Sequence, residues 1–307
     1  MTVARTHCRT GSTSREARLH ERTMHHATTG CESVKLGTLR LDGGTQAVRV
    51  EPTRLVQVGA IDVGGFLHGD IDRSAAGIEM SLQGAQFTQP VLNPGKVICV
   101  GLNYRNHIRE MGRPLPEFPT LFTKFAETLT GPYDPIEVPA SSTSLDWEAE
   151  LCVVIGKDAR RVAPEDALDA VFGYTVLNDV SMRDWQNRTS QWTQGRMFEG
   201  TTPVGPFVVS ADELPPGAEG LTITCEVDGR TVQQDSTSDL VFSVADLVSY
   251  ISGIVTLRPG DLIAAGTPGG VAAGAASPRF LDVGSTVVTT ISSIGSLENV
   301  FVAQSES

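Results

Sequence analysis

The run Asp146-Trp147-Glu148-Ala149-Glu150 leads directly into Leu151-Cys152-Val153-Val154-Ile155. Alternate residues of an extended strand share a face, so Glu148 and Glu150 point the same way, about 7 Å apart. The continuous apolar run behind them marks a buried strand. Two carboxylates at the mouth of such an element repel one another and lose hydration, so they need protons or a cation. Hard oxygen donors favour Mg2+, Mn2+ or Ca2+ over zinc. The pair also reads as the solvated end of a strand, and taken alone it leaves both readings standing.

A second group is Asn178-Asp179-Val180-Ser181-Met182-Arg183-Asp184-Trp185-Gln186. It comes after a strand expected over Gly173 to Leu177, and Asp179 at that strand's end offers a third carboxylate. Arg183 and Gln186 are three apart, so a helix starting near Ser181 puts them on one face. A cation and an amide there can grip a carboxylate and an adjacent carbonyl. The alternative is a surface helix capped by Ser181 or Asp179. A third group runs from Gly101 to Met111. His107 and Glu110 meet on one helical turn, and a carboxylate that orients a histidine makes a general base. An exposed helix with ordinary ion pairs would look the same. The fourth is Gly266-Thr267-Pro268-Gly269-Gly270-Val271, a loop whose backbone approaches something closely or simply turns. It lacks the Gly-Lys-Ser/Thr of a phosphate loop.

Order and joint presence say more than any one piece. From about Lys96 to Val302 the chain resembles the fumarylacetoacetate hydrolase family. Val100-Gly-Leu-Asn-Tyr-Arg-Asn-His107 is similar to the family's entry strand and lid. The resemblance implies a metal site at Glu148, Glu150 and Asp179, holding Mg2+ or Mn2+, with Ca2+ as a possible occupant. It implies a water-activating dyad of His107 and Glu110, and substrate contacts from Arg183, Gln186 and Thr267. One position departs from the pattern. In Gly195-Arg196-Met197-Phe198-Glu199, Arg196 stands where the family usually has a catalytic lysine. Arginine stays cationic and can hold an enolate oxygen, but it does not readily give up a proton.

In activity, the resemblance implies a divalent-metal hydrolase that cleaves the C–C bond of an acylpyruvate or related diketo acid, as in aromatic catabolism. The same site, without a productive water, would serve an isomerase, tautomerase or decarboxylase of a 2-oxo acid. A reading from another class is a non-catalytic metabolite-binding protein. A homodimer is implied as well.

The elements that must position these residues are mainly strands. Val34–Leu41 and Thr45–Val50, split by Asp42-Gly43-Gly44, form a hairpin signal. Further strands are expected over Lys96–Gly101, Leu145–Ile155, Leu221–Val227, Arg230–Gln233, Leu262–Ala265 and Ser285–Ile291, with helices over Pro164–Val171 and Val244–Ile254. Many short strands, Gly-rich turns and few helices predict a mainly β, α+β chain. The family resemblance makes this a mixed β-sandwich roll. The expected domains are a disordered extension over 1–34, a small β-rich domain over 35–90 and a catalytic domain over 91–307. The first stretch holds four of the six histidines and five arginines, with almost no apolar periodicity.

Apolar residues make up 40% and charged residues 20% of the 307, an ordinary globular balance. A net charge of −12 argues against a nucleic-acid or anionic-membrane surface. An acidic protein that handles a small anionic oxo acid must gather positive charge locally. No apolar run approaches a membrane span, and no apolar stretch at the N-terminus suggests a secretory signal. The five cysteines are scattered, without a C-x-x-C pair, so a reducing cytoplasm is the expectation.

Overall fold

A computed structural model describes residues 34–72 and 74–305. The expectation for residues 1–34 therefore lies, but for Val34, outside the described residues. The fold is mainly β and is carried by two large sheets. In the larger sheet the strand Ala149–Ile155 lies between Val171–Asn178 and Leu262–Ala264, antiparallel to both. Beyond Leu262–Ala264 come Val97–Gly101, parallel to it, and then Thr120–Lys124. On the other side Val171–Asn178 pairs with Thr202–Ser210, and Thr202–Ser210 pairs with Lys35–Leu41.

Lys35–Leu41 and Gly44–Val50 form the expected hairpin, with Leu41 opposite Gly44 across Asp42-Gly43. Gly43 has φ 94°, the left-handed backbone such a tight connection requires. Residues 35–90 thus add their strands to the sheet that carries the site elements.

A second sheet runs in the order Arg230–Ser236, Thr222–Val227, Thr286–Ile291, Gly295–Ala303, Ile136–Val138. The main core joins the two. Leu151, Val153 and Ile155 cluster with Ile223, Val287, Leu297 and Phe301. Cys152 and Val154 belong instead to a core on the opposite face, with Cys99, Leu177 and Leu262. Alternation along one fully buried strand therefore serves both faces, and each such aliphatic side chain contributes about 1.5–3 kcal/mol by leaving water. The helix Val244–Ile254 buries Val244, Leu247, Val248 and Ile251, one stripe at helical spacing, behind a capping box of Ser243 and Asp246.

Three elements differ from expectation: the helix expected to start near Ser181 begins at Arg183, after the strand Ser181–Met182, and the helix expected over Pro164–Val171 is a 3-10 helix over Pro164–Ala170. The strand expected over Leu145–Ile155 is two strands, Leu145–Asp146 and Ala149–Ile155. The first pairs with Ser181–Met182, the second with Val171–Asn178. The chain breaks at Trp147-Glu148 because these two strands pair with different partners. The Glu148 N–H is taken by the Asn178 side-chain oxygen at 2.9 Å rather than by a ladder partner.

Candidate active site

Glu148, Glu150 and Asp179 converge at the ends of the paired strands. Each offers a carboxylate oxygen within 4.8 Å of the others, and all three are buried. The backbone makes the junction: the Asp179 N–H donates to the Glu148 carbonyl at 2.9 Å. Ligands 2.0–2.6 Å from one ion lie roughly 4–5 Å apart or closer, so this all-oxygen set fits a hard divalent cation.

The cations of the sequence motifs gather on the same carboxylates. Arg183 donates from Nε to Asp146 at 2.8 Å, from Nη2 to Glu148 at 2.7 Å and from Nη1 to Gln186 at 2.9 Å. The Gln186 side-chain oxygen thus ties the two residues of that short helix together, as their spacing implied. Arg196 lies deeper than a residue waiting for substrate. Its Nη1 donates to both Glu148 and Asp179, its Nη2 to Glu148 at 3.2 Å and its Nε to Gln186 at 3.1 Å. Among the described residues, four buried carboxylates (Asp146, Glu148, Glu150, Asp179) face three cations (Lys124, Arg183, Arg196), which leaves one excess negative charge.

The excess falls on Glu150. Its carboxylate accepts from the Gly266 N–H at 2.9 Å and, among the described residues, from no cation. Burial, reinforced by the charges of Asp179 and Glu148, pushes its carboxyl well above the usual range. Glu148 goes the other way. Burial alone would raise it, but the Arg183 and Arg196 guanidiniums overturn that and bring it to about 2.

His107 and Glu110 lie on the helix Arg105–Glu110, with Nδ1 3.3 Å from Glu110 Oε2. Glu110 also accepts from the Gly270 N–H, at 3.1 and 3.3 Å, so the Gly-rich loop holds the carboxylate that orients the imidazole. With Nδ1 turned to Glu110, Nε2 is left for a reacting proton. Thr267 Oγ1 accepts from the Gln233 amide at 2.9 Å, and the same amide reaches the Pro268 carbonyl at 2.8 Å. One cavity of about 200 Å³ is lined by His107, Glu148, Glu150, Arg183, Gln186, Arg196 and Thr267. It therefore brings together every residue singled out in the sequence except Glu110, which stands behind His107, and Asp179, which stands behind Arg196.

Three residues of this site went unassigned by sequence reasoning. Asp146 holds Arg183, and its signal was the same period-two alternation that picked out Glu148 and Glu150. Lys124 is buried and donates to Asp179 at 2.6 Å. A lysine inside the apolar run Leu121-Phe122-Thr123-Lys124-Phe125 was a visible oddity. Gln233 gave no local signal, since its partners are 34 and 35 residues away.

A model of the fumarylacetoacetate (FAA) hydrolase C-terminal family matches residues 96–302. The chain belongs to the fumarylacetoacetate hydrolase family. Within it, the chain is 43% identical over 215 residues to the mitochondrial oxaloacetate tautomerase fahd2 of Xenopus laevis, covering 69% of this chain and 67% of that protein. It is 42% identical over 218 residues to the mitochondrial oxaloacetate tautomerase FAHD2A of Homo sapiens, covering 70% and 69%. Among solved structures, a fumarylacetoacetate hydrolase from psychrophilic Exiguobacterium antarcticum superposes with TM-score 0.79 at 33% identity, over 89% of this chain and 100% of that one. A 5-carboxymethyl-2-hydroxymuconate delta-isomerase from Mycobacterium smegmatis does so with TM-score 0.74 at 32% identity, over 89% and 100%. Among the described residues no helix is long and apolar enough to cross a membrane.

Proposed function

We propose that this member of the fumarylacetoacetate hydrolase family is a divalent-metal-dependent tautomerase or isomerase of a small 2-oxo dicarboxylic acid, of the oxaloacetate kind. The observation that carries the proposal is a histidine, oriented by its own carboxylate, lining the same small cavity as two arginines and two members, Glu148 and Glu150, of a buried carboxylate triad. Arg113 lines that cavity too. Since Arg183 and Arg196 are paired with carboxylates, Arg113 together with a bound divalent ion would supply the positive charge that a dianion needs. The relatives named oxaloacetate tautomerase and delta-isomerase favour proton transfer over the hydrolysis that the sequence motifs first suggested.

Keto–enol exchange moves one proton between the carbon beside the oxo group and the oxo oxygen, with no atom gained or lost. Arg183 and Gln186 grip the carboxylate next to the oxo group, and Thr267 borders it. His107 takes the carbon-bound proton on Nε2 while Glu110 steadies the imidazolium, and the same nitrogen returns a proton to oxygen. Glu148, Glu150 and Asp179 would hold a Mg2+ or Mn2+ ion, which supplies Lewis acidity at the oxo oxygen when bound. C–C hydrolysis of acylpyruvates is the competing reading, and simple metabolite binding a third.

The test monitors enol loss by ultraviolet absorbance on oxaloacetate with Mg2+ or Mn2+, beside acylpyruvates and a monocarboxylic 2-oxo acid. His107→Ala is expected to slow enol–keto exchange by about 10²–10⁴ and leave Mn2+ binding intact. Glu148→Gln is expected to lose both. Acylpyruvate cleavage without tautomerisation would hand the site back to the hydrolase reading, and no turnover of any substrate would leave it a binding protein. The mitochondrial names of the two vertebrate relatives compete with the cytoplasm expected from cysteine usage, which subcellular fractionation decides.

A further inference from the structure

The Arg196 guanidinium stands in the space that the three carboxylates enclose. A nitrogen at hydrogen-bond distance from both Glu148 Oε2 and Asp179 Oδ2 lies where an ion bound to those two oxygens would lie. The two occupants exclude one another. Arg196 also satisfies only part of the set, since Glu150 receives none of its donors. The rest of the side chain is tethered away from the triad: Nε donates to Gln186 at 3.1 Å, and Cζ lies 4.8 Å from the centroid of the Phe122 ring. Gln186 and Phe122 both line the substrate cavity, so the guanidinium has a place to turn into.

We propose that Arg196 is a built-in counter-cation of the carboxylate triad, which a divalent ion must displace toward the substrate cavity in order to bind. The inference rests on the reading of Glu148, Glu150 and Asp179 as the metal site. It has two physical consequences. The metal-free protein keeps Glu148 and Asp179 paired with a cation and stays folded without its ion. Metal affinity is lowered by the fraction of molecules in which Arg196 holds the site.

The experiment measures free Mn2+ by electron paramagnetic resonance, on the full chain, for the wild type, Arg196→Gln, Arg196→Lys and Glu148→Gln. Arg196→Gln is expected to bind Mn2+ at least tenfold more tightly than the wild type. Arg196→Lys, whose ammonium is a point charge without the guanidinium fork, should fall between. Because removing a positive charge would itself favour an ion, a second readout tracks the guanidinium directly. In 15N-arginine-labelled wild-type protein titrated with diamagnetic Mg2+, the Arg196 Nε–H resonance should move in step with metal saturation. Starting from protein saturated with Mn2+, EDTA should lower the melting temperature of Arg196→Gln by more than that of the wild type, and Mn2+ should restore both.

Equal or weaker Mn2+ binding by Arg196→Gln would overturn the proposal, as would a fixed Arg196 resonance at metal saturation. Should Arg196→Gln prove insoluble without metal, the Arg196→Lys affinity and the wild-type resonance still decide. Failure of the metal site itself looks different: neither the wild type nor Arg196→Gln would bind Mn2+ at millimolar concentration, and Glu148→Gln would be indistinguishable from them.

Discussion

Asp146 accepts from four donors at once: the N–H groups of Trp147 at 2.9 Å, Ala272 at 2.8 Å and Ala273 at 3.0 Å, and Arg183 Nε at 2.8 Å. It is fully buried, so its charge is tolerated only because every lone pair is used. Its work is positional. Arg183 is aimed into the cavity by Asp146 on one edge of the guanidinium and by Glu148 on another. Asp146→Ala leaves a buried guanidinium short of a partner and two backbone N–H groups of residues 272–273 unbonded. A loss of about 3–5 kcal/mol in urea unfolding is expected, with KM for the oxo acid rising more than kcat falls. Unchanged stability together with an unchanged KM would contradict this role.

The Gly-rich loop and the short helix Arg105–Glu110 act as one element through Glu110. Gly270 has φ 98°, and a Cβ there would sit 2.0 Å from the Val232 carbonyl oxygen. Both facts require glycine, since neither the backbone region nor the space admits a side chain. The Gly270 N–H bonds Glu110, and the Gly270 carbonyl accepts from Trp147 Nε1 at 3.1 Å, so the loop links the histidine's partner to the segment that carries Glu148. Gly270→Ala should push the loop off Val232 and release Glu110. The expected result is a destabilisation of about 1–3 kcal/mol by denaturant melts, with kcat falling and Mn2+ affinity nearly unchanged. A fall in metal affinity as large as that in kcat would place the effect at the triad instead.

At the scale of the whole molecule, the segment 35–90 is bound to the rest by the sheet and by the ion pair of Arg40 with Asp134. Arg40 donates through two nitrogens to Asp134, each at 2.5 Å, and Asp134 also accepts from Thr130 at 2.9 Å and the Gly131 N–H at 2.7 Å. Burial alone would raise the Asp134 carboxyl, but the Arg40 hydrogen bonds and the Gly131 N–H reverse this and lower it. A carboxyl lowered by folding stabilises fully above its unfolded value, roughly pH 4, and loses that contribution as pH falls through the folded value. Asp134→Asn should therefore be less stable than the wild type by about 1–2 kcal/mol at neutral pH, the two converging as the pH falls from roughly 4 through the lowered folded value. A gap independent of pH would show that the pair does not titrate with folding. The homodimer implied by the family predicts a light-scattering mass of twice 32.7 kDa, and a mass of 32.7 kDa would remove that expectation.

Whereas the set of Glu148, Glu150 and Asp179 came from the family resemblance, residue types and short-range spacing determined the strand character of Ala149–Ile155, the hairpin at Asp42-Gly43 and the helix Val244–Ile254. Each of these depends on periodicity or on turn chemistry within about ten residues, which a linear chain displays openly. The break at Trp147-Glu148 did not show, because it arises from two strands finding different partners. Nor did the buried Lys124 against Asp179, 55 positions apart, or the Gln233 clamp on the Thr267 loop, 34 apart. The placement of Arg196 is the sharpest case. Its identity in place of lysine was plain from the motif, but whether its charge meets a substrate or the carboxylates depends on which groups packing brings within hydrogen-bond reach. Only the folded sheets decide that, since the energy of a buried charge depends on its neighbours in space rather than in sequence.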